Sequence, residues 1–357
     1  MLLSITHTTD LNYADYINES VMELRMAPLQ EQYQHRLSFG LDIGPATAVK
    51  SYFDWLGNTI HAFSINAMHS QIQIIANSIV QTDARNTRLE ALPDIWIRDA
   101  NFDFTFCDFL LFGGKIVDCP QLRELAEQAI PKNTGRGPIK LGAVVMSLLR
   151  LIDEKFVYQK SVTDASSSIT EILAHGRGVC QDFTHLMIGM ARVLNIPARY
   201  VSGYLHPDRQ RLRGYTQTHA WVEIYFPSMG WVGVDPTNNC VVGENFVKVA
   251  IGRNYQDVPP NKGVYKGKSA EEIQVTVHSE ELLSIPLELA AERTGALNLP
   301  CYAGTRLDTK EQQAEQEQQE QQEQQQQQQQ QRFYFRTYDD SRIRMVDLNN
   351  SIFKQKF

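Results

Sequence analysis

Gly176-Arg177-Gly178-Val179-Cys180-Gln181-Asp182-Phe183-Thr184-His185-Leu186-Met187 places a cysteine at the first turn of a buried helix. Downstream of Cys180, the apolar residues Phe183, Leu186, Met187, Met190, Ala191 and Leu194 recur at three- and four-residue spacing, one face of an amphipathic helix. Asn195-Ile196-Pro197 ends it. A thiol at a helix start meets unpaired backbone N–H groups and the positive end of the helix dipole. Its thiolate is favoured there, and the same N–H groups suit a developing oxyanion. Gly176 and Gly178 permit the sharp backbone turn into the helix. Taken alone, Cys180 reads first as one more small buried residue. What distinguishes it is the sequence around it.

Working outward, residues 1–85 carry strand-like runs broken by turn signals, at 2–8, 37–43 and 70–75. Gln71-Ile72-Gln73-Ile74 alternates as a half-buried strand does, and Trp55-Leu56-Gly57-Asn58-Thr59 reads as a hairpin turn. This region is expected to be an antiparallel β domain, a small sandwich, with His61 and His69 structural. Residues 86–160 turn helical, with one helix after Cys119-Pro120 and another, apolar almost throughout, over 143–152. The segment 161–280 is read as a core of mixed helix and strand, beginning with N-cap residues ahead of a short helix at 169–173. Residues 281–357 are read as a largely disordered tail. Its 311–331 stretch is Gln and Glu with a single Ala, a composition that cannot offset its ordering entropy by apolar burial. Phe333-Tyr334-Phe335 and Ile352-Phe353 offer apolar groups for docking, with no partner indicated.

After the Cys180 helix, a strand over 198–205 and an Arg-rich polar loop over 206–217 lead into Thr218-His219-Ala220-Trp221-Val222-Glu223-Ile224-Tyr225-Phe226. Alternation puts His219, Trp221, Glu223 and Tyr225 on one face and Ala220, Val222, Ile224 and Phe226 on the other. Pro227-Ser228-Met229-Gly230 turns the chain into Trp231-Val232-Gly233-Val234-Asp235. In an antiparallel hairpin, His219 near the start of one strand and Asp235 near the end of the next become neighbours. A thiolate nucleophile needs an imidazole base, and that base needs a third group to hold its tautomer. Cys180, His219 and Asp235 supply the three roles. Val179, Gln181 and Trp221 are the candidates for oxyanion or substrate contact. Asp182 suits the helix dipole, and His185, more than a turn along, reads as a packed histidine.

Composition narrows the function classes. The chain has 357 residues, 43% of them hydrophobic, and a formal net charge of −7. That acidic balance argues against a nucleic-acid or anionic-membrane partner. Met1-Leu2-Leu3-Ser4-Ile5 lacks the features of a signal peptide, and no apolar run approaches the roughly 20 residues that span a bilayer, so a cytoplasmic location is expected. The five cysteines are scattered and odd in number, as for reduced thiols, and none has C-x-x-C spacing.

The segments 178–186, 196–204, 219–225 and 230–238 resemble the core of the bacterial transglutaminase-like family. The opening region around Trp55-Leu56-Gly57-Asn58 is similar to the β-rich domain that precedes that core, and 250–260 with Gly263-Val264-Tyr265 fits its C-terminal end. The likeness covers roughly residues 1–280. It implies an α+β fold with an N-terminal antiparallel β domain and a papain-like core, a nucleophile helix packed on an antiparallel sheet. It implies Cys180 as nucleophile, His219 as general base and acid, and Asp235 as its orienting partner. No cofactor and no metal are expected, since the acidic clusters that bind calcium in animal cross-linking enzymes have no counterpart here. The expected reaction is acyl transfer through a thioester on a peptide, isopeptide or glutamine carboxamide, with hydrolysis of a peptide or protein substrate favoured. Transamidation to an amine is the alternative. A non-catalytic binding module, or an interaction protein working through the Gln-rich tail, are the readings from other classes.

Overall fold

β1 (Leu2–Ile17) buries every second residue from Leu3 to Tyr13, with polar His7 and Thr9 among the apolar Leu3, Ile5, Leu11 and Tyr13. The structure, a computed structural model, describes residues 1–84, 87–98, 100–102, 104–132, 137–159, 168–207, 218–286 and 292–301. β2 (Glu19–Leu24), β3 (Gln34–Gly44), β4 (Val49–Phe53), β5 (Thr59–Ile65) and β6 (His69–Thr82) complete the N-terminal half. β4 and β5 form the expected hairpin, with Gly57 at φ 84° in the turn and the Asp54 carboxylate accepting from the Leu56 and Asn58 N–H groups. Leu11, Leu41, Ile43, Ile72 and Ile74 from one sheet meet Met22, Leu24, Phe63 and Ile65 from the other in a shared core, so this half is a sandwich. His69 is buried between the Ser20 hydroxyl at 2.6 Å and the Ala67 carbonyl at 2.7 Å, and His61 stacks on Phe39.

The second half is organised around one helix. α1 (Pro120–Gln128), α2 (Leu141–Lys155), β7 (Val157–Tyr158), α3 (Ile169–His175) and β8 (Arg177–Gly178) lead to α4 (Cys180–Val193). Asn195 adopts φ 55° just beyond α4, and Pro197 follows. β9 (Ala198–Leu205), β10 (Thr218–Phe226), β11 (Gly230–Asp235), β12 (Cys240–Val241) and β13 (Phe246–Gly252) form an antiparallel sheet in the order β12-β11-β10-β9-β13. Phe183, Leu186, Met187 and Met190 of α4 pack on Ala220, Val222 and Ile224 of β10, while α1 and α2 enclose the helix with Leu122, Val145, Leu148 and Leu149. Residues 104–109 form a short 3-10 helix. No helix among the described residues is long and apolar enough to cross a membrane.

Core packing crosses the expected boundary at 160/161, and strand pairing the one at 280/281. α2 and the segment before it share one core with α4, so they are part of the domain and not a lead-in. β14 (Asn261–Lys266) and β15 (Glu271–Glu281) leave the core and pair with β2 and β1 of the sandwich. The long β1 has two edges to satisfy, and β6 covers only one, so β15 takes the other along eleven residues from Leu3↔Glu281 to Tyr13↔Glu271. Within the supposed tail, β16 (Arg293–Ala296) runs parallel to β3, fixed by Arg293 donating to both Asp42 carboxylate oxygens at 2.6 and 3.0 Å. The 311–331 tract, the aromatic residues after it and 208–217 of the Arg-rich loop lie outside the described residues.

Candidate active site

The cysteine's position is set by the two turns before it. Gly176 closes α3 at φ 66°, in the left-handed region, its N–H bonded to the Ile172 carbonyl at 2.9 Å. The Val157 and Gln159 N–H groups donate to the Gly176 and Gly178 carbonyls, pinning β8 in place. Val179 is extended, and Cys180 opens α4. Asp182, the third helical residue, folds back so that its Oδ2 accepts from the Val179 N–H at 2.8 Å. Gly178 makes room for this: a Cβ there would sit 2.7 Å from Asp182 Oδ2 and 2.8 Å from its Cβ. Asp182 is therefore a helix-start lock. Because it takes up the Val179 N–H, Val179 offers no backbone donor to an oxyanion.

His219, second residue of β10, and Asp235, last residue of β11, are diagonal neighbours on adjacent strands, both fully buried at the side chain. His219 Nε2–H donates to Asp235 Oδ2 at 2.8 Å. Asp235 also accepts from the Thr237 N–H at 2.8 Å and from Asn238 Nδ2 at 2.6 Å. Three donors fix the carboxylate in one orientation. Burial alone would lower the basicity of His219. The charge and hydrogen bond of Asp235, with the Cys180 thiol adding to them, outweigh it and raise the imidazole pKa to about 10. Nδ1, the nitrogen turned away from Asp235, is buried without a partner in bonding geometry. The Cys180 thiol adjoins the ring. Sequence-predicted Cys180, His219 and Asp235 thus come together as one cluster.

A cleft of about 500 Å³ opens over the cluster, lined by Cys180, Gln181, Ser202, Thr218, His219 and Tyr255 together with His7 and Val275 of the sandwich. Gln181 lies in this cleft, its amide hydrogen-bonded to the Tyr255 hydroxyl. Trp221 does not. It is 1% exposed, packed with Val201, Leu205 and Phe246 on the face of the sheet opposite α4, and stacks on the His219 ring at 6.3 Å between centroids. Its expected place as a substrate contact gives way because alternation sends residue 221 to the face away from α4. Glu223, on that same face, is buried between Arg199 at 2.7 Å and Lys248. The two cations outweigh burial and hold its carboxyl at a pKa of about 2. His185 is buried, its Nε2 accepting from the Tyr255 N–H at 3.1 Å; burial, with Lys115 and Arg192, lowers its pKa to about 3.

Five residues of the site escaped sequence reasoning. Asn238 and Thr237 brace Asp235, Tyr200 lies buried beneath Cys180 and Tyr255, and His7 enters from the sandwich, hydrogen-bonded to the Tyr204 hydroxyl at 2.9 Å. Asn238 sits three residues past the predicted acid, the one local signal available. His7 and Tyr255 carry none, since only tertiary packing brings them to Cys180.

The site thus sets a helix-borne cysteine beside a strand-borne histidine and aspartate, and the comparisons give the family of the fold that carries it. Residues 130–236 match the transglutaminase-like superfamily core, and 3–81 match the bacterial transglutaminase-like N-terminal region. An uncharacterized protein of Mycobacterium leprae is 30% identical over 283 residues, spanning 78% of this chain and 99% of its own. The chain belongs to the transglutaminase-like superfamily, with the bacterial N-terminal region ahead of the core. A protein-glutamine gamma-glutamyltransferase of Pseudomonas aeruginosa is 36% identical over 103 residues, 27% of this chain and 15% of that protein. Among solved structures, a candidate cysteine protease from Cytophaga hutchinsonii shares the fold with a TM-score of 0.60 at 21% identity, over 81% of this chain and 95% of that one.

Proposed function

We propose that the chain is a cysteine-dependent acyl transferase acting on amides, with water as its usual acceptor. The observation that carries this is the buried His219–Asp235 pair, which leaves Nδ1 unpartnered on the side of Cys180. A structural histidine would have that nitrogen satisfied. In the proposed reaction the Cys180 sulfur, as thiolate, attacks the carbonyl carbon and forms a C–S bond. The first-turn N–H groups of Cys180 and Gln181 receive the oxyanion, Val179's being taken by Asp182. His219 Nδ1–H protonates the leaving nitrogen as the C–N bond breaks, giving a thioester and a free amine. Water then attacks the thioester carbon, His219 Nδ1 takes its proton, and the C–S bond breaks to release a carboxylic acid and regenerate the thiolate. Asp235 keeps Nε2 protonated throughout, and so keeps Nδ1 as the working nitrogen.

Hydrolysis is the reaction that needs only these groups and water. Transamidation is the second reading, favoured by the name of the Pseudomonas relative, and differs only in the acceptor. The test is incubation with glutamine-containing peptides in the presence and absence of a primary amine, read by mass spectrometry. Deamidated or cleaved product independent of the amine supports hydrolysis, and amine-coupled product supports transamidation. No product in either condition, with unmodified Cys180, contradicts both.

A further inference from the structure

Tyr255 opens a short 3-10 turn (Tyr255–Asp257) after β13, and its place beside Cys180 is fixed at both ends of the residue. Its backbone N–H donates to His185 Nε2 at 3.1 Å, its ring lies 6.2 Å from that of Tyr200, and it lines the same cleft as Cys180, Gln181 and His219. At the far end, the Gln181 amide donates to the hydroxyl oxygen, the one hydroxyl partner among the described residues. A phenol that accepts one hydrogen bond still has its own O–H to give. Burial foremost, and the charge of Cys180 with it, raise the Tyr255 pKa above the ordinary tyrosine value against the opposing pull of Gln181, so that hydrogen is retained at neutral pH. The start of α4, meanwhile, has given one donor away. Asp182 takes the Val179 N–H at 2.8 Å, which leaves a carbonyl oxygen at Cys180 only the backbone N–H groups of Cys180 and Gln181.

Resting on the acyl-transfer reading, we infer that the Tyr255 hydroxyl is a side-chain donor to the oxyanion formed when Cys180 attacks a carbonyl, and that the Gln181 amide aims it. Tyr255 is then a catalytic residue, and the Gln181 side chain a positioning one. The proton stays on Tyr255 throughout. Its hydrogen bond strengthens as negative charge gathers on the carbonyl oxygen, so it lowers the barrier to forming and to breaking the thioester. Loss of one such donor costs about 10²- to 10³-fold in rate. A reaction of the same sulfur that passes through no oxyanion does not feel the loss.

The experiment compares two such reactions in the full chain. p-Nitrophenyl acetate acylates a thiolate through a tetrahedral oxyanion, whereas iodoacetamide alkylates it at a saturated carbon and forms none. Tyr255→Phe is expected to slow the Cys180-dependent burst of p-nitrophenol about 100-fold or more, and to leave the alkylation rate of Cys180, followed by peptide mapping, unchanged. Gln181→Met keeps the backbone N–H and deletes the amide. It should slow acylation by a smaller factor, and should add nothing in the Tyr255→Phe background. Undiminished acylation in Tyr255→Phe overturns the proposal, as do an equal fall in both reactions and additive losses in the double variant. Cys180→Ser separates the two ideas. If the unsubstituted protein releases p-nitrophenol no faster than Cys180→Ser, the acyl-transfer reading falls, whereas a Cys180-dependent burst indifferent to Tyr255→Phe removes the Tyr255 assignment alone.

Discussion

Replacing Asp235 by asparagine removes one charge and almost no volume, and so isolates what the carboxylate does for His219. Asp235 Oδ2 accepts from both His219 Nε2 and Asn238 Nδ2, and Oδ1 accepts from the Thr237 N–H. In Asp235→Asn one of these sites becomes an NH₂ group facing donors. With the amide oxygen on Thr237, the amide nitrogen faces His219 and drives the ring to the tautomer with Nε2 bare and Nδ1 protonated. That neutral ring cannot take a proton at Nδ1. The rise of the His219 pKa from 6.5 to about 10 represents roughly 5 kcal/mol of preference for imidazolium, at about 1.4 kcal/mol per tenfold. Most of what opposes burial comes from Asp235, so the variant should titrate at or below 6.5. Long-range ¹⁵N–¹H spectra of histidine-labelled protein, with His219 assigned through His219→Ala, read this directly. The expected result is an imidazolium up to about pH 10 in the unsubstituted protein and a neutral ring at pH 7 in Asp235→Asn, with turnover lowered about 10³- to 10⁴-fold. The stability carried by the pair is full below 6.5 and lost as pH rises through 10, a dependence the variant should lack. A His219 already neutral at pH 7 in the unsubstituted protein, or a titration unchanged by the substitution, would refute the reasoning.

Gly178→Ala sets a Cβ 2.7 Å from Asp182 Oδ2, which must release the Val179 N–H; thermal or urea unfolding should show a loss of about 1–3 kcal/mol, with Cys180 reactivity falling too. Glu223→Gln leaves buried Arg199 facing a neutral amide and Lys248 with Glu31 as its carboxylate, and a loss of about 3 kcal/mol in urea unfolding is expected. The same glutamate gives the native protein roughly 3 kcal/mol, complete above 4.5 and lost as pH falls towards 2, a dependence absent from the variant. Burial holds His7 at about 4 and His185 at about 3, so at pH 5 the unfolded chain takes up protons the folded one does not. Each should cost about 2 kcal/mol relative to high pH, seen as a urea midpoint that falls between pH 7 and pH 5.

The Cys180 helix and the hairpin beside it were legible because their patterns are local. The spacing of Phe183, Leu186, Met187 and Met190 marks one helix face, and alternation from His219 to Phe226 sorts one strand into two. Alternation also carried the information that Trp221 lies away from the helix, but His219 shares its face, and it is the place of His219 at the very start of β10 that brings the imidazole beside Cys180. The departure of β14 and β15 to the sandwich had no local signature. Their partners, β2 and β1, lie some 240 to 280 residues earlier in the chain, and the pairing answers to open sheet edges. His7 is hidden for the same reason: its strand reads as any half-buried strand, and the cleft it lines exists only once the two halves meet. Tyr255 follows the last core strand and gains its role by accepting from Gln181 and donating its backbone N–H to His185.

The most direct test of the central claim is the alkylation rate of each of the five cysteines by iodoacetamide at pH 6, resolved by peptide mapping, in the unsubstituted protein and in His219→Ala. An ordinary thiol is only about 0.3% ionised at that pH. The account predicts that Cys180 reacts on the order of 100-fold faster than Cys107, Cys119, Cys240 and Cys301, and that His219→Ala removes the excess. A Cys180 that reacts no faster than the other four, and is indifferent to the loss of His219, would contradict it.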